Sequence, residues 1–140
     1  MSVQTNNRVI RRTARVEYAL PQQDVSARWA RRLTAGFLGG SRTSPEAALH
    51  MDDAALVVSE LVTNATVHGD GRCRLRLSSE AGSLTIEVHD HGPGTPVVRA
   101  VTAEAEGGRG IAMVRCLAQR LDITPHAAGG KTIRAVLATA

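Results

Sequence analysis

The sequence predicts an α+β fold: a two-layer α/β sandwich whose mixed, mostly antiparallel sheet carries helices on one face. Three observations lead there. Residues 72–78 and 84–90 alternate polar and apolar side chains on either side of a short turn, as the arms of a β-hairpin do. Apolar residues recur with helical period through residues 22–38, 44–68 and 109–120. The resulting order, β-α-α-β-β-α-β-β, sets hairpins side by side.

Each element has its own justification. Residues 1–12 are polar and are expected to form a flexible N-terminal segment, with residues 13–140 as a single domain. Residues 14–20 alternate weakly and read as a strand that Pro21 stops. From 22 to 38, Val25, Trp29, Leu33 and Phe37 recur every fourth residue as the apolar stripe of an amphipathic helix, with Arg28, Arg31 and Arg32 elsewhere on the wheel. Gly39-Gly40 ends it. Ser44-Pro45-Glu46 starts the next helix, with Ser as cap and Pro in the first turn. That helix reaches His68, with a break expected near His50, and Gly69-Asp70-Gly71 stops it. In the hairpin, Cys73, Leu75 and Leu77 point to the core and Arg72, Arg74 and Arg76 to solvent. Residues 91–108, rich in Gly and Pro, are expected to form a long mobile loop, a length usually kept for function. A helix over 109–120 turns Ile111, Val114, Leu117 and Ala118 inward, and strands follow at 121–124 and 132–137.

Composition narrows the function classes. No apolar run approaches the ~18 residues of a membrane span, and the first residues lack the apolar stretch of a signal peptide. Cys73 and Cys116 make no metal-type pair and read as free, buried thiols of a cytoplasmic protein. The net charge is +4, with sixteen Arg and one Lys. Those Arg are scattered, and one Trp, one Tyr and one Phe leave little to stack on bases, which disfavours direct nucleic-acid binding.

The residues that carry chemistry lie at element ends. Ala54, Val58, Leu61, Val62 and Ala65 form an apolar stripe on their helix, and Glu60, Asn64 and His68 line one edge of it. A carboxylate and an amide four residues apart stack on one face and suit a metal and a reacting hydroxyl, although a solvated flank has the same spacing. Asp90 follows Leu84, Ile86 and Val88 at even spacing, so its carboxylate faces inward. Either it accepts a hydrogen bond from a ligand N–H or it caps the turn into His91-Gly92-Pro93-Gly94. Gly107-Gly108-Arg109-Gly110 opens onto a helix, where free N–H groups and the positive dipole end favour phosphate and Arg109 adds charge.

In this order and spacing, Glu-x-x-x-Asn on a helix, Asp-x-Gly-x-Gly after a hairpin strand and Gly-x-Gly into a helix, the chain resembles the ATP-binding domain of the GHKL superfamily, with its Bergerat fold. Glu60-Leu-Val-Thr-Asn64-Ala-Thr-Val-His68-Gly69 looks most like the small anti-sigma factor serine/threonine kinases of actinobacterial type. Gly129-Gly130-Lys131-Thr132 and the segment 21–37 also fit that group, and the resemblance covers residues 14–138. It implies ATP and Mg²⁺ as cofactors. Asn64 would coordinate Mg²⁺, and Glu60 would be general base on a serine hydroxyl or water. Asp90 would bind the adenine amino group, with Gly92 and Gly94 shaping the pocket floor. Gly108, Arg109 and Gly110 would bind phosphates under a closing lid, and Thr132 would support the adenine end. Arg134 departs from the pattern, standing where this group often carries Trp, and the lid adds little basic charge beyond Arg99 and Arg109.

The expected function is an ATP-dependent protein serine kinase that phosphorylates an antagonist (anti-anti-sigma) protein and controls a sigma factor, with homodimerisation expected of such a kinase. A non-catalytic ATP-binding interaction module of the same fold is the alternative. Retention of both Glu60 and Asn64 favours the kinase, because a binder needs no base.

Overall fold

Alternation in residues 73–90 produces the hairpin that anchors the sheet. A computed structural model describes residues 13–40, 43, 45–91 and 108–138, with the backbone alone at 108 and 109. The described elements run β1 (Thr13–Leu20), α1 (Ser26–Leu38), α2 (Pro45–Ala48), α3 (Met51–His68), β2 (Cys73–Glu80), β3 (Ser83–Asp90), α4 (Gly108–Leu117), β4 (Arg120–Pro125) and β5 (Lys131–Leu137). The strands form one sheet in the order β1-β2-β3-β5-β4, and every one of these pairings is antiparallel. The α+β sandwich is therefore as expected, with an antiparallel sheet rather than a mixed one. The turn between β2 and β3 is Ala81-Gly82, with φ of 49° and 84°. Positive φ at both central residues is the two-residue hairpin geometry whose twist matches that of the strands.

Helices cover one face of this sheet. Leu75, Leu77, Leu84, Ile86, Val88, Ile133 and Ala135 point toward them and are buried. The central helix α3 meets them with Val57, Val58, Leu61 and Val62, also buried. Burial of each such side chain is worth about 1.5–3 kcal/mol, so this layer dominates the stability of the fold. The break expected near His50 is present: α2 ends at Ala48 and α3 starts at Met51. His50 Nε2 lies 2.9 Å from the Gly82 carbonyl oxygen and ties that joint to the hairpin tip.

Helix α1 sits differently from its apolar pattern. The buried positions are Ser26, Ala30, Thr34 and Leu38, one residue on from the expected stripe. Trp29 is 52% exposed, while Leu33 and Phe37 pack at the edge of the core. Small side chains let α1 lie close against α3, and their hydroxyls are satisfied at home. Ser26 Oγ donates to the Pro21 carbonyl at 2.5 Å, and Thr34 Oγ1 to that of Ala30 at 2.7 Å. A second correction concerns Cys116, which is exposed on α4, whereas Cys73 is buried as expected.

The other face of the sheet carries charge arranged in cross-strand pairs. Glu17 accepts from Arg76 Nε and Nη2 at 3.0 and 2.9 Å. Arg134 lies 3.8 Å from Glu87 and 3.9 Å from Asp122, and Arg120 is 3.0 Å from Asp122. Hydrogen bonding by Arg76 holds the Glu17 carboxyl below its ordinary range. Much of the arginine excess on these strands is thus matched locally by carboxylates rather than presented to a polyanion.

Candidate functional site

The end of α3 brings the first pair of residues into place. One turn separates Glu60 from Asn64, as the helical period requires. Glu60 is half-buried, and Asn64, only 4% exposed, lies inside the apolar stripe rather than at its edge. Neither the amide nitrogen nor the amide oxygen of Asn64 meets a hydrogen-bonding partner among the described residues. Leaving a buried polar group unpaired costs about 1–3 kcal/mol, a cost rarely kept without a ligand or a function.

Helix α4 closes on this pair from the side. Its first turn puts Gly110 directly against the Glu60 carboxylate. A Cβ at Gly110 would overlap Glu60 Oε1 and stand 3.0 Å from its Cδ. The glycine is required by this close approach. A carboxylate and the free N–H groups of a helix N-terminus are thereby brought together, a place suited to anions and to a cation between them.

Strand β3 delivers Asp90 to the same side of the sheet, below the end of α3. A Cβ at Gly69 would overlap the Ala65 carbonyl oxygen and stand 3.0 Å from Asp90 Cβ, so the helix terminus and the strand end touch through glycine. Two clasps hold this junction. Asp70 N–H donates to the His91 carbonyl at 2.5 Å. Gln22 Nε2 donates to the carbonyls of Thr66 and Gly69 at 3.2 and 3.0 Å, and its Oε1 accepts from Gly71 N–H at 2.9 Å. Cys73 neighbours this end, and burial together with the Asp90 charge pushes its thiol up to about 11. It stays a thiol at neutral pH.

Asp90 has a partner that sequence reasoning missed. It is 4% exposed, and Lys131 Nζ donates to its Oδ2 at 2.8 Å, with the lysine side chain 8% exposed. The two residues stand opposite each other in the β3–β5 ladder. The signal was present in the sequence: Lys131, Ile133, Ala135 and Leu137 share one parity, and the last three are core residues.

Thr132 does not join this group. Strand alternation turns it to the opposite face, where its Oγ1 lies 2.8 Å from His89 Nδ1 and 2.7 Å from His126 Nε2. The His89 and His126 rings stack there with centroids 5.1 Å apart. The inward residue beside Asp90 is Lys131, one position earlier. Glu60, Asn64, Asp90 and Gly110 are brought to the helical side of the sheet. Gly108 begins α4, and only the backbone of Arg109 is described. Gly92, Gly94 and the lid around them lie outside the described residues. Among the described residues a hollow of about 800 Å³ lies on the charged face between Arg15, Ser78, Thr85 and Arg134, on the side of the sheet away from the Glu60–Asn64 pair.

Residues 19–137 match the histidine kinase-like ATPase domain family. The chain belongs to this family. Two proteins of Mycobacterium tuberculosis are similar to it. One, from strain H37Rv, is described as sensor histidine kinase component HK1. It is 32% identical over 117 residues, covering 71% of this chain and 70% of the relative. The other, from strain CDC 1551, is described as a probable sensor histidine kinase, also 32% identical over 117 residues. The matched region spans 71% of this chain but 31% of that relative. Membership assigns a GHKL-type ATP-binding domain to residues 19–137, and the element order and antiparallel sheet agree with that fold. Among the described residues, no helix is long and apolar enough to cross a membrane. The residues present fit a metal-nucleotide: a buried amide without a partner among the described residues, a carboxylate one turn away and a helix N-terminus beside that carboxylate.

Proposed function

We propose that this ATPase domain is a regulatory protein kinase that transfers phosphate from Mg-ATP to a serine of an antagonist protein and so controls a sigma factor. The observation that supports it is the buried amide of Asn64, unpartnered among the described residues, one turn from Glu60, with the start of α4 against the Glu60 carboxylate. In this reading Asn64 would hold Mg²⁺ through its side-chain oxygen, and the ion when bound would supply charge neutralisation at the transferred phosphate. Glu60 takes the proton of the serine hydroxyl as that oxygen bonds to the γ-phosphorus and the bond to the ADP oxygen breaks. Asp90 would accept from the adenine amino group, and Gly92 and Gly94, outside the described residues, are assigned to the pocket by the sequence motif alone. The N–H groups of Gly108 and Gly110 would hold phosphates, with Arg109 adding positive charge at that segment. The serine class rests on the run from Glu60 to Gly69, and with it come a sigma factor or its antagonist as partners, a homodimer and a cytoplasmic setting.

The test is radiolabel transfer from ATP to a partner that purifies with the chain. Acid-stable label on serine is the expected result, whereas acid-labile label would indicate histidine as acceptor. Glu60→Gln should leave ATP affinity nearly unchanged and lower transfer by about 10²–10⁴-fold. A parent chain that binds ATP yet transfers nothing to any partner it grips would favour the non-catalytic module. Undiminished transfer by Glu60→Gln would make Glu60 a solvated flank.

A further inference from the structure

Lys131 is buried at the point where the reading of Asp90 as the base acceptor puts the nucleobase, and the inference below rests on that reading. A lysine ammonium carries three N–H donors. Among the described residues one acceptor is recorded for it, Asp90 Oδ2 at 2.8 Å, although the side chain is only 8% exposed. Asp90 in turn is a carboxylate with lone pairs beyond the one that Lys131 takes. A buried ion pair is itself weak evidence for stability, since an apolar pair of similar volume would serve as well or better. What the pair adds is an acceptor and a donor set side by side and electrically balanced, which a neutral heteroaromatic base tolerates better than a lone buried charge. The edge of adenine has the matching order: the 6-amino donor stands beside the N1 acceptor.

We infer that Lys131 is a second base-reading residue, donating to the N1 acceptor of adenine while Asp90 accepts from the adjacent amino group. Thr132, by contrast, is held on the other face by His89 and His126 and does not reach the base. Lys131 is thus the residue through which this chain makes adenine recognition depend on the ring acceptor as well as on the amine.

The test is a ligand-by-residue cycle read by calorimetric binding. ATP is compared with 1-deaza-ATP, in which N1 is replaced by C–H, on the native chain and on Lys131→Met. A charge-assisted hydrogen bond predicts that the native chain binds ATP about 10- to 100-fold more tightly than 1-deaza-ATP. Lys131→Met should bind the two alike, and Lys131→Gln, which keeps a neutral donor, should retain part of the preference. Purine riboside triphosphate, which lacks the amine, should bind weakly to native and variant alike because its loss falls on Asp90. Should Lys131→Met fail to give a cooperative melt, the native comparison and Lys131→Gln still decide the matter. Equal native affinity for ATP and 1-deaza-ATP overturns the role of Lys131 and leaves the nucleotide site standing. Tighter ATP binding by Lys131→Met also overturns it, since the ammonium would then compete for Asp90. No ATP binding by the native chain refutes the nucleotide reading and this inference together.

Discussion

Gly110→Ala separates catalysis from folding more cleanly than a change at Glu60 itself. The added methyl would overlap Glu60 Oε1 and stand 3.0 and 3.4 Å from Cδ and Cγ. The obstructing atoms are the far end of a flexible side chain, so the carboxylate must swing away while the backbone holds. Moving it off its rotamer costs about 0.5–1.5 kcal/mol. Replacing Gly by Ala inside a helix returns up to about 1 kcal/mol. The two nearly cancel, so the melting temperature should stay within a few degrees of the parent. The carboxylate, however, is displaced on the order of 1 Å, and a misplacement of that size costs about 10²-fold in rate. The assay is phosphate release from ATP, with water as acceptor, followed beside thermal unfolding and ATP titration. The expected result is a normal melt, retained nucleotide binding and about 10²-fold slower turnover. Parent-like turnover in Gly110→Ala would show that the position of the Glu60 carboxylate does not govern the chemistry.

Two further outcomes follow from the site and its surroundings. Asn64→Leu removes a buried amide that has no partner among the described residues, so the denaturant midpoint should rise, by up to about 1–3 kcal/mol of stability, while Mg-dependent ATP binding measured by calorimetry is lost. A fall in stability would mean that the amide is satisfied in solution. Burial, with Arg74, His126 and Arg76 nearby, holds the His89 imidazole below its ordinary value, so the folded state takes up its proton less readily than the unfolded chain. Its contribution is present above about pH 6.5 and is lost as pH falls below that, and His89→Gln should flatten that acid limb of a stability-versus-pH curve measured by urea melts.

Strand parity and turn chemistry were read well from the sequence because each rests on local rules. Ile86 and Val88 fix the inward face of β3, and Asp90 follows by alternation alone. The joint expected near His50 falls between α2, ending at Ala48, and α3, starting at Met51. Helix α1 was harder. Large apolar residues marked Val25 and Trp29, yet close packing on α3 selected Ser26, Ala30 and Thr34, whose value lies in being small. At β5 the glycines drew the strand start to Thr132, and the parity of Ile133, Ala135 and Leu137, which puts Lys131 inward, went unused. The exposure of Cys116 depends on the phase of a short helix against its neighbours, which composition does not specify.

The sheet order has a consequence for synthesis. Lys131 lies 41 residues after Asp90, and β5 enters between β3 and the later-paired β4. At about 5–20 residues per second, roughly 2–8 s separate the emergence of Asp90 and Lys131 from the ribosome. Through that interval the N-terminal strands have nothing to cover the edge of β3, whose backbone donors and acceptors are open to another chain. The polar row of Thr85, Glu87 and His89 on its outer face makes that edge a poor template for apolar stacking. The strand that brings Lys131 to Asp90 is the same one that covers the β3 edge, so the buried ion pair forms and this exposure ends in a single step.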